Sequence, residues 1–248
     1  MMLVRGDLHI HTVLSPCGDL DMSPRTIVEQ ALSKDLRILG VTDHNSTLQA
    51  GVVAALGAAH GLLVLHGAEV TSQEEIHILT LFADENTAGI FQHFIDARLP
   101  DVANRTDLFG DQVVVDANDQ ITYVEERLLI SALQATLHEI EAEVHRLNGI
   151  FIPAHIDKPV NSIISQLGFM PPGLPVEALE ITGFIGADEA RQRFMIPPGI
   201  ALIRNSDAHM PSDIGRNFTL FELEQLNFEE VKLALKQIGG RSVQPLMN

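Results

Sequence analysis

Asp7-Leu8-His9-Ile10-His11-Thr12, a few residues after the apolar run Met2 to Val4, decides how the chain is read. On an extended segment side chains alternate with a period of two. His9 and His11 therefore point the same way and can chelate one ion. Alone the motif is weak, because 11 histidines in 248 residues give about 0.5 chance His-x-His pairs. Four further clusters share its layout. Thr42-Asp43-His44-Asn45-Ser46 follows Arg37 to Val41. Gly67-Ala68-Glu69-Val70-Thr71 follows Leu62 to Leu65 and precedes Glu75-Ile76-His77. Pro153-Ala154-His155-Ile156-Asp157-Lys158 continues the run that starts at Gly149, and Asn205-Ser206-Asp207-Ala208-His209 follows Ile200 to Ile203.

The apolar runs, with Ile76 to Phe82, Ala178 to Ile181 and Phe218 to Phe221, are rich in Val, Ile and Leu. They read as strands buried on both faces, as in parallel sheets. Helical patterns lie between several of them. Ser23 caps a helix with Pro24 at its first position, Ser46 or Thr47 caps one running to about His60, and Phe228 to Ile238 forms a last one. Alternating strands and helices predict an α/β barrel or a doubly wound sheet. Strand C-termini of such a barrel open on one face, so all five clusters would converge on one pocket. Residues 84–148 break the rhythm. They are mostly polar, with one or two helices between Glu125 and Leu147 and a hairpin from Asp111 to Tyr123 turning at Asn118-Asp119. They read as an insertion within a single domain of residues 1–248.

Composition narrows the partners. Lys and Arg number 16 against 33 Asp and Glu, a net charge of −17. Phosphate backbones are held chiefly by Lys and Arg, so long nucleic acid is an unfavoured partner. Hydrophobic residues make up 46% and mean hydropathy is +0.15, enough to bury a sizeable core. One cysteine, Cys17, makes no internal disulfide. The N-terminus MMLVRGDLHIHT does not read as a signal peptide, and no apolar stretch reaches the roughly 18 residues expected of a membrane span. A cytoplasmic protein is the expectation.

DLHIHT, TDHNS, GAEVTS, EIHIL, PAHID and NSDAH, in this order from Asp7 to His209, resemble the motifs of the PHP family, named for polymerase and histidinol phosphatase. The resemblance is to stand-alone bacterial members, and implies a distorted (β/α)7 barrel with two or three divalent ions, Mn, Zn or Fe, serving phosphoester hydrolysis. Carried over by motif, His9 and His11 hold a first metal with Glu69 and Asp207. Glu69 bridges to a second metal bound by His77 and His155, and His44 and His209 hold a third. Family members commonly add a third-site ligand from a Ser-Asp-Gly sequence after the first motif. Here Pro16 falls where that Asp would be, and Asp19, Cys17 or Asp21 would have to substitute.

In such a centre paired metals activate water and neutralise developing charge on phosphorus. His44, Glu69, Asp207 and His209 are the expected catalytic residues. Asp7 and Asp43 are candidate acceptors that orient ligand imidazoles. Lys158, Arg204 and Arg216 are the nearest candidates to grip a phosphate. His66 reads as a core histidine, and His60, His93, His138 and His145 as structural or exposed. The expected reaction is hydrolysis of a small phosphomonoester or nucleotide phosphate. The alternatives are an oligonucleotide exonuclease or phosphodiesterase, a C–N hydrolase of the amidohydrolase kind, and a non-catalytic metal-binding module. With no Trp and one Tyr, Tyr123, base stacking has few aromatic partners.

Overall fold

The first apolar run extends into the motif that follows it. β1 spans Met2–Ile10 and so carries His9 inside the strand. α1 (Pro24–Ser33) starts as expected, with the Ser23 hydroxyl accepting from the Thr26 amide and Pro24 in the first turn. β2 (Leu36–His44), α2 (Ala50–Ala58), β3 (Leu63–Thr71) and β4 (His77–Phe82) follow. The computed structural model describes residues 1–247. Neither Ser46 nor Thr47 caps α2. Its N-cap is Gln49, and the Thr47 hydroxyl instead reaches Gln92 Oε1 at 3.1 Å.

After β4 come α3 (Glu85–Asp96), α4 (Thr106–Phe109), β5 (Val113–Val115), β6 (Ile121–Val124) and α5 (Leu137–Arg146). β5 and β6 form the expected antiparallel hairpin. Of residues 125–147 only α5 is helical; 125–136 is irregular chain that hydrogen-bonds to neighbouring segments, as Leu133 N does to Thr71 O at the end of β3 at 2.8 Å. β7 (Ile150–Pro153), α6 (Ile163–Leu167), β8 (Leu179–Glu180), α7 (Ala187–Arg193), β9 (Leu202–Ile203), β10 (Asn217–Leu223), α8 (Phe228–Leu235) and β11 (Ser242–Met247) complete the chain.

Seven strands form one curled sheet in the order β11-β10-β1-β2-β3-β4-β7, and β8 and β9 pair separately. The sheet is mixed. β1, β2 and β3 run parallel, but β4 is antiparallel to both β3 and β7, and β10 to both β1 and β11. The fold is thus α/β and half-barrel-like, without the uniform strand–helix repeat that the apolar runs suggest. An antiparallel strand buried on both faces reads the same as a parallel one. Gly40 lets β1 and β2 touch, since a Cβ there would lie 2.4 Å from the Leu8 carbonyl oxygen.

Apolar faces of α3 and α5 pack against the sheet. Phe91, Ile95, Ile140 and Val144 are buried in one cluster with Phe82 and Phe151. Each such side chain contributes about 1.5–3 kcal/mol. The 84–148 segment is therefore built into the core on one side. No helix among the described residues is long and apolar enough to cross a membrane.

Candidate metal centre

β1, β2 and β3 are parallel neighbours, so His9, His44 and Glu69 arrive at one edge together. In register, His44 lies beside Glu69. His77 is the first residue of β4 and reaches the same edge because β4 runs the other way, with Thr71 opposite His77. His155 and Asp207 sit just after β7 and β9 with φ of 29° and 53°, and Asn45 after β2 has 45°. Positive φ is uncommon for non-glycine residues and clusters where a side chain must be aimed.

Glu69 is the hub, and it is buried. Its Oε1 lies 2.9 Å from His77 Nδ1, 3.1 Å from His155 Nε2 and 3.3 Å from His9 Nε2. Its Oε2 lies 3.2 Å from His44 Nδ1 and 3.5 Å from His11 Nε2. Asp207 Oδ1 lies 3.3 Å from His9 Nε2 and 3.4 Å from His11 Nε2. The His209 ring stacks on His11 with centroids 4.1 Å apart. Eight of the nine expected ligands thus meet. Asp19 does not join them: it is exposed, and its Oδ1 accepts from the Asp21 amide at 2.8 Å, a local turn. Cys17 is a free, exposed thiol, and partial burial of its sulfur, with Glu69, Asp43 and Asp207 nearby, pushes its pKa up to about 12.

The supporting shell differs from expectation. Asp7 orients no imidazole; its carboxylate accepts from the amides of Ser206 and Gly215, both at 2.9 Å. Asp43 acts through Ser15, whose hydroxyl donates to Asp43 Oδ1 at 2.6 Å and lies 3.0 Å from His11 Nδ1. Behind His9 stands Glu180, Oε1 3.1 Å from Nδ1, itself held by Asn205 Nδ2 at 2.8 Å. Asn161 Nδ2 contacts His77 Nε2 at 2.9 Å. Sequence reading missed Glu180, although it stands inside the run Ala178 to Ile181. A carboxylate in a strand buried on both faces requires a partner.

The three cations separate. Lys158 Nζ is 2.5 Å from Asp207 Oδ2. Burial opposes the lysine charge, but Asp207 holds its pKa above the ordinary value. Arg216 pairs with Asp213 at 3.3 Å on the surface. Both line a cleft of about 370 Å³ that is also lined by His155, Glu180 and Asp207. Arg204 is not free to grip a ligand. It is buried, its Nε donates to Thr182 O at 3.0 Å, and a second guanidinium nitrogen donates to Ile185 O.

Electrostatics divides the imidazoles. Burial opposes charge on His9, but Glu180, Glu69 and Asp207 raise its pKa well above the usual value. Burial and the neighbouring His209 push His11 down to about 4. Burial and His11 push His44 well below its usual value. Burial would raise Glu69, but His77 and His9 hold it well below the carboxylate range. Burial would likewise raise Asp207, but His9 and His11 hold it far down. The donor set fits divalent metal. His9 Nε2 and His11 Nε2 face each other at 3.2 Å, an arrangement in which one proton or one cation must lie between them. Three groups offer ligand atoms close enough to share an ion: His9-His11-Glu69, His44-Glu69-His77 and His11-His44-His209. Imidazole and carboxylate without thiolate suit Zn, Mn or Fe.

No family model matches the chain. It is 22% identical to the uncharacterized protein YqxK of Bacillus subtilis (strain 168), over 98% of this chain and 64% of that protein. Among solved structures it is similar to the lesion-specific endonuclease Q of Pyrococcus furiosus, with TM-score 0.71 and 24% identity, covering 98% of this chain and 58% of that one. Endonuclease Q has also been solved with a 27-mer duplex substrate carrying an abasic lesion at the active site, where TM-score is 0.72 at 23% identity, covering 97% of this chain and 58% of that one. A two-domain protein of Bacteroides vulgatus ATCC 8482, containing a predicted PHP-like metal-dependent phosphoesterase, matches with TM-score 0.59 and 14% identity over 100% of this chain and 65% of that one. The chain thus spans under two thirds of these relatives. Its fold is that of the PHP-like metal-dependent phosphoesterases.

Proposed function

We propose that the chain is a metal-dependent phosphoesterase hydrolysing a small phosphomonoester or nucleotide phosphate. The observation that carries this is the convergence of His9, His11, His44, His77, His155, His209, Glu69 and Asp207 beside a cleft bearing Lys158 and Arg216. Two or three ions of Mn, Zn or Fe fit these donors. Divalent ions supply Lewis acidity and lower the pKa of water toward neutrality.

The chain's own residues would do the rest. Glu69, with an oxygen toward each half of the site, keeps five imidazoles gathered around one anionic centre. Lys158 stays protonated beside Asp207 and can turn its ammonium to a phosphoryl oxygen. Arg216, at the surface end of the cleft, would hold a more distal anionic group. Glu180 and Ser15 set the His9 and His11 rings. A lysine-bridged C–N hydrolase centre is disfavoured, because Glu69 occupies the central position and Lys158 pairs with Asp207.

Nuclease action is the second reading, favoured by the duplex-bound endonuclease Q. A net charge is a sum over the whole surface, whereas a strand contacts a local groove. The charge of −17 therefore no longer argues against nucleic acid on this fold.

The test is turnover by Mn-loaded protein of phosphomonoesters, mononucleotides, short oligonucleotides and duplex, with His44→Ala and chelated controls. Phosphate release from a mononucleotide, lost in both controls, is expected. Cleavage of oligonucleotide or duplex alone moves the reading to a nuclease. No turnover of any phosphoester with ions bound overturns both.

A further inference from the structure

We infer that Phe184 is a stacking platform for the base of a nucleotide whose phosphate enters the cleft, an inference that rests on the phosphoesterase reading above. Phe184 is 92% exposed and lines the same cleft as Lys158, Asp207 and Arg216. Single exposed apolar side chains are ordinary on protein surfaces. This one differs in how its backbone is held.

Asp157 accepts from the Thr182 amide at 2.8 Å and from the Thr182 hydroxyl at 2.5 Å. The Thr182 hydroxyl oxygen accepts from the Phe184 amide at 3.1 Å. From the other side, buried Arg204 donates to the carbonyls of Thr182 and Ile185. Gly183 packs so closely on Asn217 that a Cβ there would lie 2.9 Å from Asn217 Oδ1. The Phe184 amide and the carbonyls of residues 182 and 185 are therefore tied, while the ring itself is left in water. A pre-ordered aromatic face beside two cations matches a ligand with a flat base at one end and phosphate at the other. Stacking on such a face accepts any base, because every base has a π-face.

The chain has no tryptophan, so Phe184→Trp creates a single tryptophan reporter at the proposed platform. Its emission should quench saturably with adenosine 5′-monophosphate and not with ribose 5-phosphate, which lacks the base. Steady-state kinetics gives a second readout. Phe184→Ala should raise KM for the mononucleotide about 10-fold, the size expected for one lost stacking partner, with KM for ribose 5-phosphate unchanged and the tryptophan variant restoring the wild-type value. Mononucleotide hydrolysis with an unchanged KM in Phe184→Ala overturns the platform and leaves the phosphoesterase reading intact. Equal KM increases for both substrates overturn it too. Saturable quenching by the mononucleotide without hydrolysis of any phosphoester keeps the platform and overturns the hydrolytic reading instead.

Discussion

Glu180 stands directly behind His9, its Oε1 3.1 Å from His9 Nδ1, while His9 Nε2 faces Glu69 Oε1 at 3.3 Å. The carboxylate fixes which ring nitrogen carries the proton and which faces the site. Partners of this kind typically contribute 10- to 100-fold in metal affinity. Glu180→Ala should weaken metal binding by about that factor, read by titration with Zn or Mn. An unchanged affinity removes Glu180 from the centre.

Asp19 predicts the opposite. Its carboxylate is committed to the Asp21 amide and it is exposed. Asp19→Ala should leave metal stoichiometry unchanged in elemental analysis of the loaded protein. Loss of one ion per chain would return Asp19 to the ligand set.

Asn45 joins the site to the 84–148 segment. Its Nδ2 donates to the Leu129 and Ser131 carbonyls at 2.6 and 2.8 Å, and its Oδ1 accepts from the Thr71 amide at 3.0 Å. Asn45→Ala leaves buried groups unpaired at a positive φ. It should cost on the order of 2–4 kcal/mol, measured by denaturant unfolding. A cost below about 0.5 kcal/mol, typical of a neutral surface change, would show that this lacing is slack.

Asp7 carries a pH signature. Burial pushes its carboxyl from an ordinary 3.8 up to about 6, against hydrogen bonds from Ser206 and Gly215. The folded state therefore binds this proton more tightly than the unfolded chain. Its contribution to stability is fully present below about pH 4 and is lost as pH rises through about 6. Asp7→Asn has no such titration. In chelator, the stability difference between wild type and variant should shift by on the order of 3 kcal/mol toward the variant between pH 4 and 7.5. Parallel pH profiles would contradict this.

Much of the site was legible in the linear chain. The period-two pair His9 and His11, and a histidine or carboxylate after five of the apolar runs, depend only on local geometry and on order along the chain. The α1 start at Ser23-Pro24 and the turn at Asn118-Asp119 were legible for the same reason: capping and turn chemistry are set within a few residues. The local pattern also overreached. Arg204 enters the Asp207 loop in sequence, yet its guanidinium turns to carbonyls at 182 and 185. Neighbours in the chain need not face the same way.

The sequence by itself determined which chemistry the protein can carry: imidazoles and carboxylates, no second thiol, and strands to present them. Only the tertiary structure decided how these are arranged. Strand direction put His77, at the start of β4, beside Glu69 of β3. Packing of the separate β8–β9 pair brought Glu180 behind His9 from 171 residues away. Tertiary packing also turned α3 and α5 from an apparent polar insertion into part of the core. Residue type sets what a group can bind, whereas the direction of a strand and the partner of a buried charge are set by contacts distant in sequence.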